Sequence, residues 1–215
     1  MLRLKNITAG YGKLEVLKGL DIQVQKGEIV ALLGWNGAGK STCLKTIAGI
    51  VKPTNGDIWL SGEKISTLAP TELRMKGIVF AMQNHRCFKS MTVSENLRIA
   101  ATSVPLKDIN ARISKIWQDY PDLYRRKSHK AGTLSDGMQQ YLSLAMTMII
   151  PFQVLLLDEP SHGLDKKSMA QFGMIFSELA ASGSCILMAE QNMDFVEAIA
   201  SRRCWLEEGK ARSGN

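Results

Sequence analysis

The sequence of 215 residues contains no apolar run long enough to cross a membrane as a helix. Such a helix needs roughly 18 apolar residues in succession, and the most apolar stretch, residues 142–157, is interrupted by Ser143, Thr147, Pro151 and Gln153. The first ten residues, MLRLKNITAG, also lack the apolar segment of a secretory signal peptide. We therefore expect a soluble, cytoplasmic chain whose membrane role, where it has one, comes through a partner.

The sequence also lacks the paired cysteines of a disulfide framework or a metal site. Its cysteines, Cys43, Cys87, Cys185 and Cys204, are widely spaced, without a CxxC pair or a neighbouring histidine cluster. Disulfide-rich and zinc-binding chains show short, regular spacings instead. The pattern predicts reduced, mostly buried thiols and no cysteine-held metal.

Internal repeats and low-complexity linkers are absent too, and the chain length suits one domain. Apolar residues make up 45% and charged residues 22% of the chain, as in ordinary globular proteins. The net charge of +7 is compatible with nucleic-acid binding. However, the one dense basic run, Arg125–Lys130, is typical of a solvated face, and we expect no nucleic-acid partner.

What the sequence does contain is an alternation of short apolar runs with helical stretches. The runs at 28–33, 57–60, 77–82, 153–157 and 184–189 predict strands, and helical spacing covers about 40–50 and 166–181. Strands that alternate with helices predict βαβ units and a mainly parallel sheet. Residues 84–133 differ, because helices at 94–101 and 107–120 predict an inserted helical subdomain. The last residues, about 211–215, are expected to form a frayed polar tail.

A glycine-rich loop comes directly after the first of these apolar runs. Residues 34–41, GWNGAGKS, satisfy the pattern GxxxxGK[ST] between a strand and a helix. Glycines let the backbone N–H groups approach phosphate oxygens, and the helix N-terminus favours the same anion. The alternative is a glycine-rich surface turn. The loop predicts a phosphate site in which Lys40 reaches the β- and γ-phosphates of a nucleotide and Ser41 holds Mg²⁺. Its residues are Gly34, Asn36, Gly37, Ala38, Gly39, Lys40, Ser41 and Thr42.

Two carboxylates stand where the apolar run VLLL emerges, at Asp158 and Glu159. Ligands collect at the carboxyl ends of strands in open α/β sheets, so these acids should lie near the glycine-rich loop. We expect Asp158 to hold Mg²⁺ and Glu159 to act as general base toward the attacking water. The alternative is a pair of acids that only mark a strand end, with Glu159 capping the next segment of the chain.

With these two motifs in place, the chain from about Leu2 to Lys210 resembles an ABC transporter nucleotide-binding domain. The resemblance implies the P-loop NTPase fold of ABC ATPases, α/β in class, with a mainly parallel core and an N-terminal antiparallel β part. Residues 1–215 would form a single domain, with the α/β core at 1–83 and 134–215 and the helical subdomain at 84–133. The activity implied is ATP hydrolysis coupled to transport.

The same resemblance assigns further residues in order along the chain. Tyr11 would stack on adenine, and Gln83 would contact Mg²⁺ and the attacking water. Ser135 and Gly137 would belong to the signature LSDGMQQ, which contacts the γ-phosphate bound by the other subunit of a dimer. Residues 161–165, SHGLD, resemble the D-loop, and Gln191 occupies the switch position near the γ-phosphate.

Within the family, several segments resemble the smaller ATPase subunit of branched-chain amino acid or urea importers. These are YPDL at 120–123, GTLS at 132–135 and AEQN at 189–192. Asp165 departs from that pattern, which usually has alanine there. The resemblance points to import without fixing the transported substrate.

Three positions depart from the broader family pattern. Trp35 replaces a proline or small residue and should point outward. Gln191 replaces the usual switch histidine, so it can donate a hydrogen bond but cannot carry charge. Asp136 replaces a glycine of the signature. A carboxylate about 4 Å from a phosphate charge would cost roughly 4 kcal/mol at an effective dielectric of 20, whereas one that faces solvent or caps the helix would cost little.

The resemblance also implies partners. Each ATP site in this family is shared by two subunits, so we expect a homodimer or a heterodimer with another ABC ATPase. We expect transmembrane permease subunits as well, and a location on the inner face of the cell membrane. Because a homodimer would place Gln191 and Asp136 in both sites, we expect modest ATPase activity of the chain alone and efficient turnover only with a second, different ATPase subunit. The alternatives are a degenerate ATP-binding regulator and a soluble, non-transport ABC ATPase.

Overall fold

The computed structural model of the chain describes residues 1–81, 87–102 and 106–212, without the side chain of Leu106. The described residues form two compact units. The core unit takes in Met1–Phe80, Phe152–His162 and residues from Met169 onward, and the helical unit takes in residues from Ala81 to Pro151 together with Gly163–Ser168.

Ten strands lie in two sheets. Their bounds are β1 Leu2–Tyr11, β2 Leu14–Val24, β3 Ile29–Leu33, β4 Pro53–Leu60, β5 Glu63–Lys64, β6 Ile78–Ala81, β7 Val154–Asp158, β8 Cys185–Ala189, β9 Arg202–Glu207 and β10 Lys210–Arg212.

The helices are α1 Lys40–Ile47, α2 Pro70–Met75, α3 Val93–Ala101, α4 Leu106–Asp119, α5 Pro121–Arg125, α6 Asp136–Met148, α7 Lys166–Ala181 and α8 Met193–Ile199, with a 3-10 turn at Ala131–Thr133.

The larger sheet has the order β10-β9-β3-β8-β7-β6. Strands β9, β3, β8 and β7 are mutually parallel, and only the β9–β10 pair is antiparallel among the described pairings. Every residue of β3, β7 and β8 is buried. These strands are continuous apolar runs because both faces of a central parallel sheet are covered.

The smaller sheet is antiparallel throughout, in the order β2-β1-β4-β5. Strand β1 alternates buried and exposed residues, and its register shifts near Asn6, which has a φ of 52°. Alternation is expected of a sheet with one face on the core. Side chains of both sheets join one apolar core, which includes Leu2, Leu17, Leu32 and Leu44.

The helical unit is organised by side-chain bonds at the ends of its helices. The Thr92 hydroxyl accepts from the backbone N–H of Glu95 at 3.2 Å, and the Glu95 carboxylate accepts from the backbone N–H of Thr92 at 2.7 Å. This reciprocal capping box fixes the start of α3. Asn96 is fully buried, and its amide bonds to the backbone of Phe88 in both directions.

The observed architecture confirms the predicted α/β fold, with a parallel-rich sheet and an antiparallel N-terminal sheet. The expected tail at about 211–215 was wrong for Ala211 and Arg212, which pair with β9 as part of β10, and residues 213–215 lie outside the described residues. The helical unit includes α6, and the division of the chain at 84 and 134 stays a prediction. Within the described residues, no helix has both the length and the apolarity needed to cross a membrane.

Candidate active site

The glycine-rich loop joins β3 to α1, and a side chain at two of its glycines would collide with a neighbouring segment. A Cβ on Gly34 would lie 2.2 Å from the carbonyl oxygen of Leu206. Gly39 has a φ of 106°, in the left-handed region, and a Cβ there would lie 2.9 Å from Leu17 Cδ2. Gly39 is also the N-cap of α1 and leaves that helix end without a side-chain cap. The first N–H groups of α1 therefore stay available to an anion.

The side chain of Lys40 turns back onto this loop and bonds to its backbone. The residue is 6% exposed, and Nζ donates to the carbonyl oxygens of Gly34 at 2.6 Å and Trp35 at 3.2 Å. Burial lowers the pKa of Lys40, while Glu159 and Asp158 oppose that shift. Burial disfavours the charged form of the ammonium group, and a bound phosphate would stabilise that form through its opposite charge.

Ser41 and Asp158 bring the two predicted motifs together. The Ser41 hydroxyl donates to Asp158 Oδ1 at 2.9 Å, although the residues are 117 positions apart. Burial raises the pKa of Asp158, and the hydrogen bond from Ser41 acts in the opposite direction. The sequence-based expectation that the acidic strand end lies beside the loop agrees with this contact.

Glu159 follows β7 with a backbone conformation that is unusual for a residue other than glycine. Its φ is 49°, and its backbone N–H donates to the carbonyl oxygen of Ala189 at 2.9 Å. Backbone strain of this kind concentrates at functional sites, where the surrounding structure maintains it. The side chain is 18% exposed, and Oε2 lies 3.9 Å from Nδ1 of the exposed His162. The carboxylate thus remains partly open to water.

Gln191 joins the glycine-rich loop to Glu159. Its side-chain Nε2 donates to Asn36 Oδ1 at 3.1 Å and also to Glu159 Oε1. An amide can donate two hydrogen bonds at once, so one Gln191 side chain orients both partners. The predicted placement of Gln191 near the γ-phosphate position is compatible with these contacts.

Glu190 is a site residue that the sequence analysis missed. It is 2% exposed, and its carboxylate accepts from the backbone N–H groups of Ser161, Gln191 and Asn192. Glu190 also opposes the lowering of the Lys40 pKa by burial, with a smaller contribution than Glu159 and Asp158. The only sequence signal was a carboxylate directly after an apolar strand, which resembles the placement of Asp158 and Glu159.

Two aromatic residues near the loop are exposed. Trp35 is 77% exposed, which confirms the expectation that it points outward. Tyr11 is 48% exposed at the end of β1, and the adjoining β2 packs Val16 and Leu17 beneath Gly39. The described contacts of Tyr11 do not include the loop itself, so its adenine-stacking role stays a prediction.

The predicted signature begins α6. Ser135 is the N-cap, and its hydroxyl accepts from the backbone N–H of Met138 at 3.4 Å. Asp136 therefore does not cap the helix, contrary to one of the two harmless roles considered for it. Asp136 occupies the first helical position and is exposed to solvent, and solvent exposure was the other harmless role considered. Gly137 is next in the same turn, where a Cβ would have room.

Of the remaining predicted residues, Gln83 lies outside the described part of the chain. Asp165, which departs from the importer pattern, accepts from the backbone N–H of Ser168 at 2.7 Å at the start of α7. This bond from Ser168 lowers the pKa of Asp165. The aspartate therefore has a local structural reason to be there. Ala38 and Thr42 are buried within the loop and the first turn of α1.

The residues fit Mg²⁺ bound together with a nucleotide. Mg²⁺ prefers oxygen ligands and usually takes one or two from the protein, with phosphates and water completing its octahedron. Ser41 Oγ and Asp158 Oδ1 supply two adjacent oxygens. In the part of the chain that the structure describes, no three His, Cys, Asp or Glu side chains form a closed cage, which such an ion does not need.

Comparison with known proteins agrees with the geometry. Residues 17–162 match the model of the family described as ABC transporter. The high-affinity branched-chain amino acid transport ATP-binding protein BraG of Pseudomonas aeruginosa is 34% identical over 210 residues, or 98% of this chain and 90% of that protein. The lipoprotein-releasing system ATP-binding protein LolD of Bacteroides fragilis is 36% identical over 184 residues, or 83% of this chain and 85% of that protein.

The fold has solved counterparts as well. A crystal structure of a nucleotide-free ATP-binding cassette from an ABC transporter superposes with a TM-score of 0.90. It is 26% identical in sequence, and the match covers 99% of this chain and 90% of that one.

Proposed function

The chain belongs to the ABC transporter family of ATP-binding, ATP-hydrolysing cassettes, and from that premise we propose that it powers transport through partner membrane permease subunits. The observation that carries the proposal is the 2.9 Å hydrogen bond between Ser41 and Asp158. It joins the phosphate-binding loop to the acidic strand end, and Glu159 is the next residue. A phosphate-binding group, a pair of metal-ligand oxygens and a candidate general base thus meet within one unit.

The proposed chemistry assigns one task to each side chain. The N-terminal N–H groups of α1 and Lys40 bind the phosphates. Ser41 and Asp158 would hold Mg²⁺, which would neutralise charge on the phosphate oxygens. Glu159 accepts hydrogen bonds from the attacking water and orients it in line with the γ-phosphate. Gln191 donates to Glu159 and keeps that carboxylate facing the glycine-rich loop.

The test is the variant Glu159→Gln, which keeps the size of the side chain and removes its basicity. General base catalysis contributes about 10²- to 10⁴-fold, so we expect hydrolysis to fall by that range while ATP binding stays within about threefold of wild type. Single-turnover hydrolysis of labelled ATP and equilibrium binding measure the two quantities.

Glu178→Gln is the matched control, because Glu178 is exposed on α7 within the same unit. It should leave both quantities unchanged. Hydrolysis by Glu159→Gln at the wild-type rate would remove Glu159 from the mechanism. Tight ATP binding by the wild type without any hydrolysis, alone or with a second ATPase subunit, would favour a degenerate regulatory subunit instead.

We further propose that the transport is import of the branched-chain amino acid type. The similarity to BraG over nearly the whole chain supports this, and the importer-like segments at 120–123, 132–135 and 189–192 agree with it. The similarity to LolD defines the competing class. Reconstitution with permease subunits of the amino acid-import class and of the lipoprotein-releasing class is the test. Stimulation of ATPase activity by leucine, isoleucine or valine with their binding protein would support import, and stimulation by a lipoprotein would overturn it.

The proposed assembly places the chain on the inner face of the cell membrane as half of an ATPase dimer. Because Asp136 is exposed at the start of α6, a copy of this chain would present a carboxylate to the γ-phosphate of its partner. A heterodimer with an ABC ATPase subunit that lacks this carboxylate would avoid the repulsion in one of its two sites. Mixing the chain with such a subunit should therefore raise the hydrolysis rate above the sum of the separate rates.

A further inference from the structure

Glu190 is a buried carboxylate that the proposed chemistry does not use. It directly follows β8, the strand between β3 and β7, and its backbone N–H donates to the carbonyl oxygen of Leu32 at 3.2 Å. The residue is 2% exposed. Within the described part of the chain, no ion pair includes it. A buried carboxylate is retained only where hydrogen bonds replace its hydration.

Three backbone N–H groups supply those hydrogen bonds. Glu190 Oε1 accepts from Gln191 at 2.7 Å and from Asn192 at 3.0 Å. Glu190 Oε2 accepts from Ser161 at 3.1 Å. Since an ionised carboxylate only accepts hydrogen bonds, it can satisfy all three donors without turning.

The donors come from two loops that carry the proposed catalytic groups. Ser161 lies two residues after Glu159, at the entry to the predicted D-loop. Gln191 belongs to the switch segment, and its side chain donates to Glu159. Glu190 thus ties the backbone of one loop to the backbone of the other beneath the point where their side chains meet.

We propose that Glu190 is a positioning residue for ATP hydrolysis, which holds the loop of Glu159 and the loop of Gln191 at a fixed separation through their backbone N–H groups. The proposal rests on the proposed role of Glu159 as general base. Glu190 is 2% exposed, and both of its oxygens accept from backbone N–H groups. Its contribution is the geometry of the base, and a misplacement of about 1 Å costs on the order of 100-fold in rate.

The variant Glu190→Gln isolates this role. The amide oxygen can still accept from Gln191 and Asn192, but the amide nitrogen then faces the N–H of Ser161, donor against donor. The link between the two loops is therefore broken while the switch segment keeps its own bonds. Glu197→Gln is the matched control, because Glu197 lies on α8 with its side chain 62% exposed and 3.6 Å from Arg203.

We expect Glu190→Gln to lower kcat by about 10- to 100-fold with the ATP dissociation constant within about threefold of wild type, and Glu197→Gln to change neither. Single-turnover hydrolysis by the complete chain measures the rate, and thermal unfolding shows that the variant is folded. The double variant Glu159→Gln/Glu190→Gln should hydrolyse ATP no more slowly than Glu159→Gln alone, because Glu190 acts through Glu159.

Three results would overturn the inference. These are an unchanged kcat, a fall in ATP affinity as large as the fall in kcat, and losses in the double variant that multiply. An unchanged kcat would show that the two loops keep their separation without Glu190. An equal fall in ATP affinity would show a general effect of charge near Lys40, and losses that multiply would show a role independent of Glu159. Failure of the proposed function is distinguishable, since Glu159→Gln would then hydrolyse ATP at the wild-type rate.

Discussion

Two helices of this chain begin at segments that the family resemblance assigns to ATP, and their first turns are built differently. Helix α1 follows Gly39, which has no side chain to cap it, and its first turn contains no acidic residue. Helix α6 follows Ser135, whose hydroxyl caps it, and its first turn contains Asp136. One helix therefore presents free N–H groups and a positive dipole end to an anion, whereas the other already has an acceptor and a negative charge there.

The surroundings of the two ends differ in the same sense. At α1, Lys40 is buried with its ammonium group bonded to carbonyl oxygens of the loop, and Gly34 and Gly39 leave no room for a side chain. At α6, Ser135 and Asp136 are exposed. The end of α1 is thus organised for phosphate, whereas the end of α6, which the resemblance assigns to a contact with a second subunit, is exposed and negatively charged.

The largest expected effect comes from removing the cation at the α1 end. A hydrogen bond from a charged group is worth about 1.5–3 kcal/mol, so Lys40→Ala should weaken ATP binding by about 10- to 100-fold. Equilibrium titration of the isolated chain with ATP measures this. Lys52→Ala, an exposed lysine of the same unit, is the control and should bind ATP normally.

The same titration tests whether the two helix ends differ. Asp136→Gly, measured beside Lys40→Ala, should leave ATP affinity of the isolated monomer unchanged, because the α6 end contributes nothing before a dimer forms. If Lys40→Ala bound ATP within about threefold of wild type, or if Asp136→Gly shifted the affinity as much as Lys40→Ala, the two helix ends would not differ in the way described.

The α1 end was predicted from the residues themselves, whereas the role of Asp136 at the α6 end was left open between two alternatives, and the reason is physical. The glycine-rich loop, Lys40, Ser41 and the acids after β7 are encoded in short segments whose residue types depend on the phosphate chemistry. Their meeting is explained by the rule that ligands bind where parallel strands end. Such local patterns can be recognised without a structure.

Other features depend on contacts between distant positions. Glu190 bonds to Ser161, which is 29 positions away, and Gln191 bonds to Asn36, which is 155 positions away. No local pattern indicates either pairing. Ala211 and Arg212 were similarly expected to fray, because the pairing of β10 with β9 is a tertiary contact of a short polar segment. The capping role considered for Asp136 was wrong because Ser135, one residue earlier, is the N-cap of α6.

The next effect concerns the charge at the α6 end. Asp136 is exposed, so its repulsion of a γ-phosphate about 4 Å away would lie near the aqueous limit of about 1 kcal/mol rather than the larger value of a buried pair. Asp136→Gly and Asp136→Asn should therefore both raise steady-state hydrolysis at high chain concentration, by about fivefold or more. Agreement between the two variants assigns the effect to charge. A rise with glycine alone would assign it to space or backbone freedom, and no rise with either would remove the need for a second, different ATPase subunit.

The smallest expected effect separates folding from assembly at the same helix end. Gly137 is helical, and a Cβ there would find its nearest neighbour, Ser168 Oγ, at an ordinary 3.9 Å. Alanine is favoured over glycine within a helix by about 0.5–1 kcal/mol, so Gly137→Ala should raise the free energy of unfolding of the isolated chain by that amount in urea titrations. The reverse holds at the α1 end, where Gly39→Ala meets a φ of 106° and the Leu17 side chain and should destabilise the chain.

If Gly137 is kept free of a side chain for the partner's nucleotide, Gly137→Ala should at the same time lower hydrolysis in the assembled dimer. A variant that is more stable and fully active would show that the α6 end does not approach the nucleotide closely.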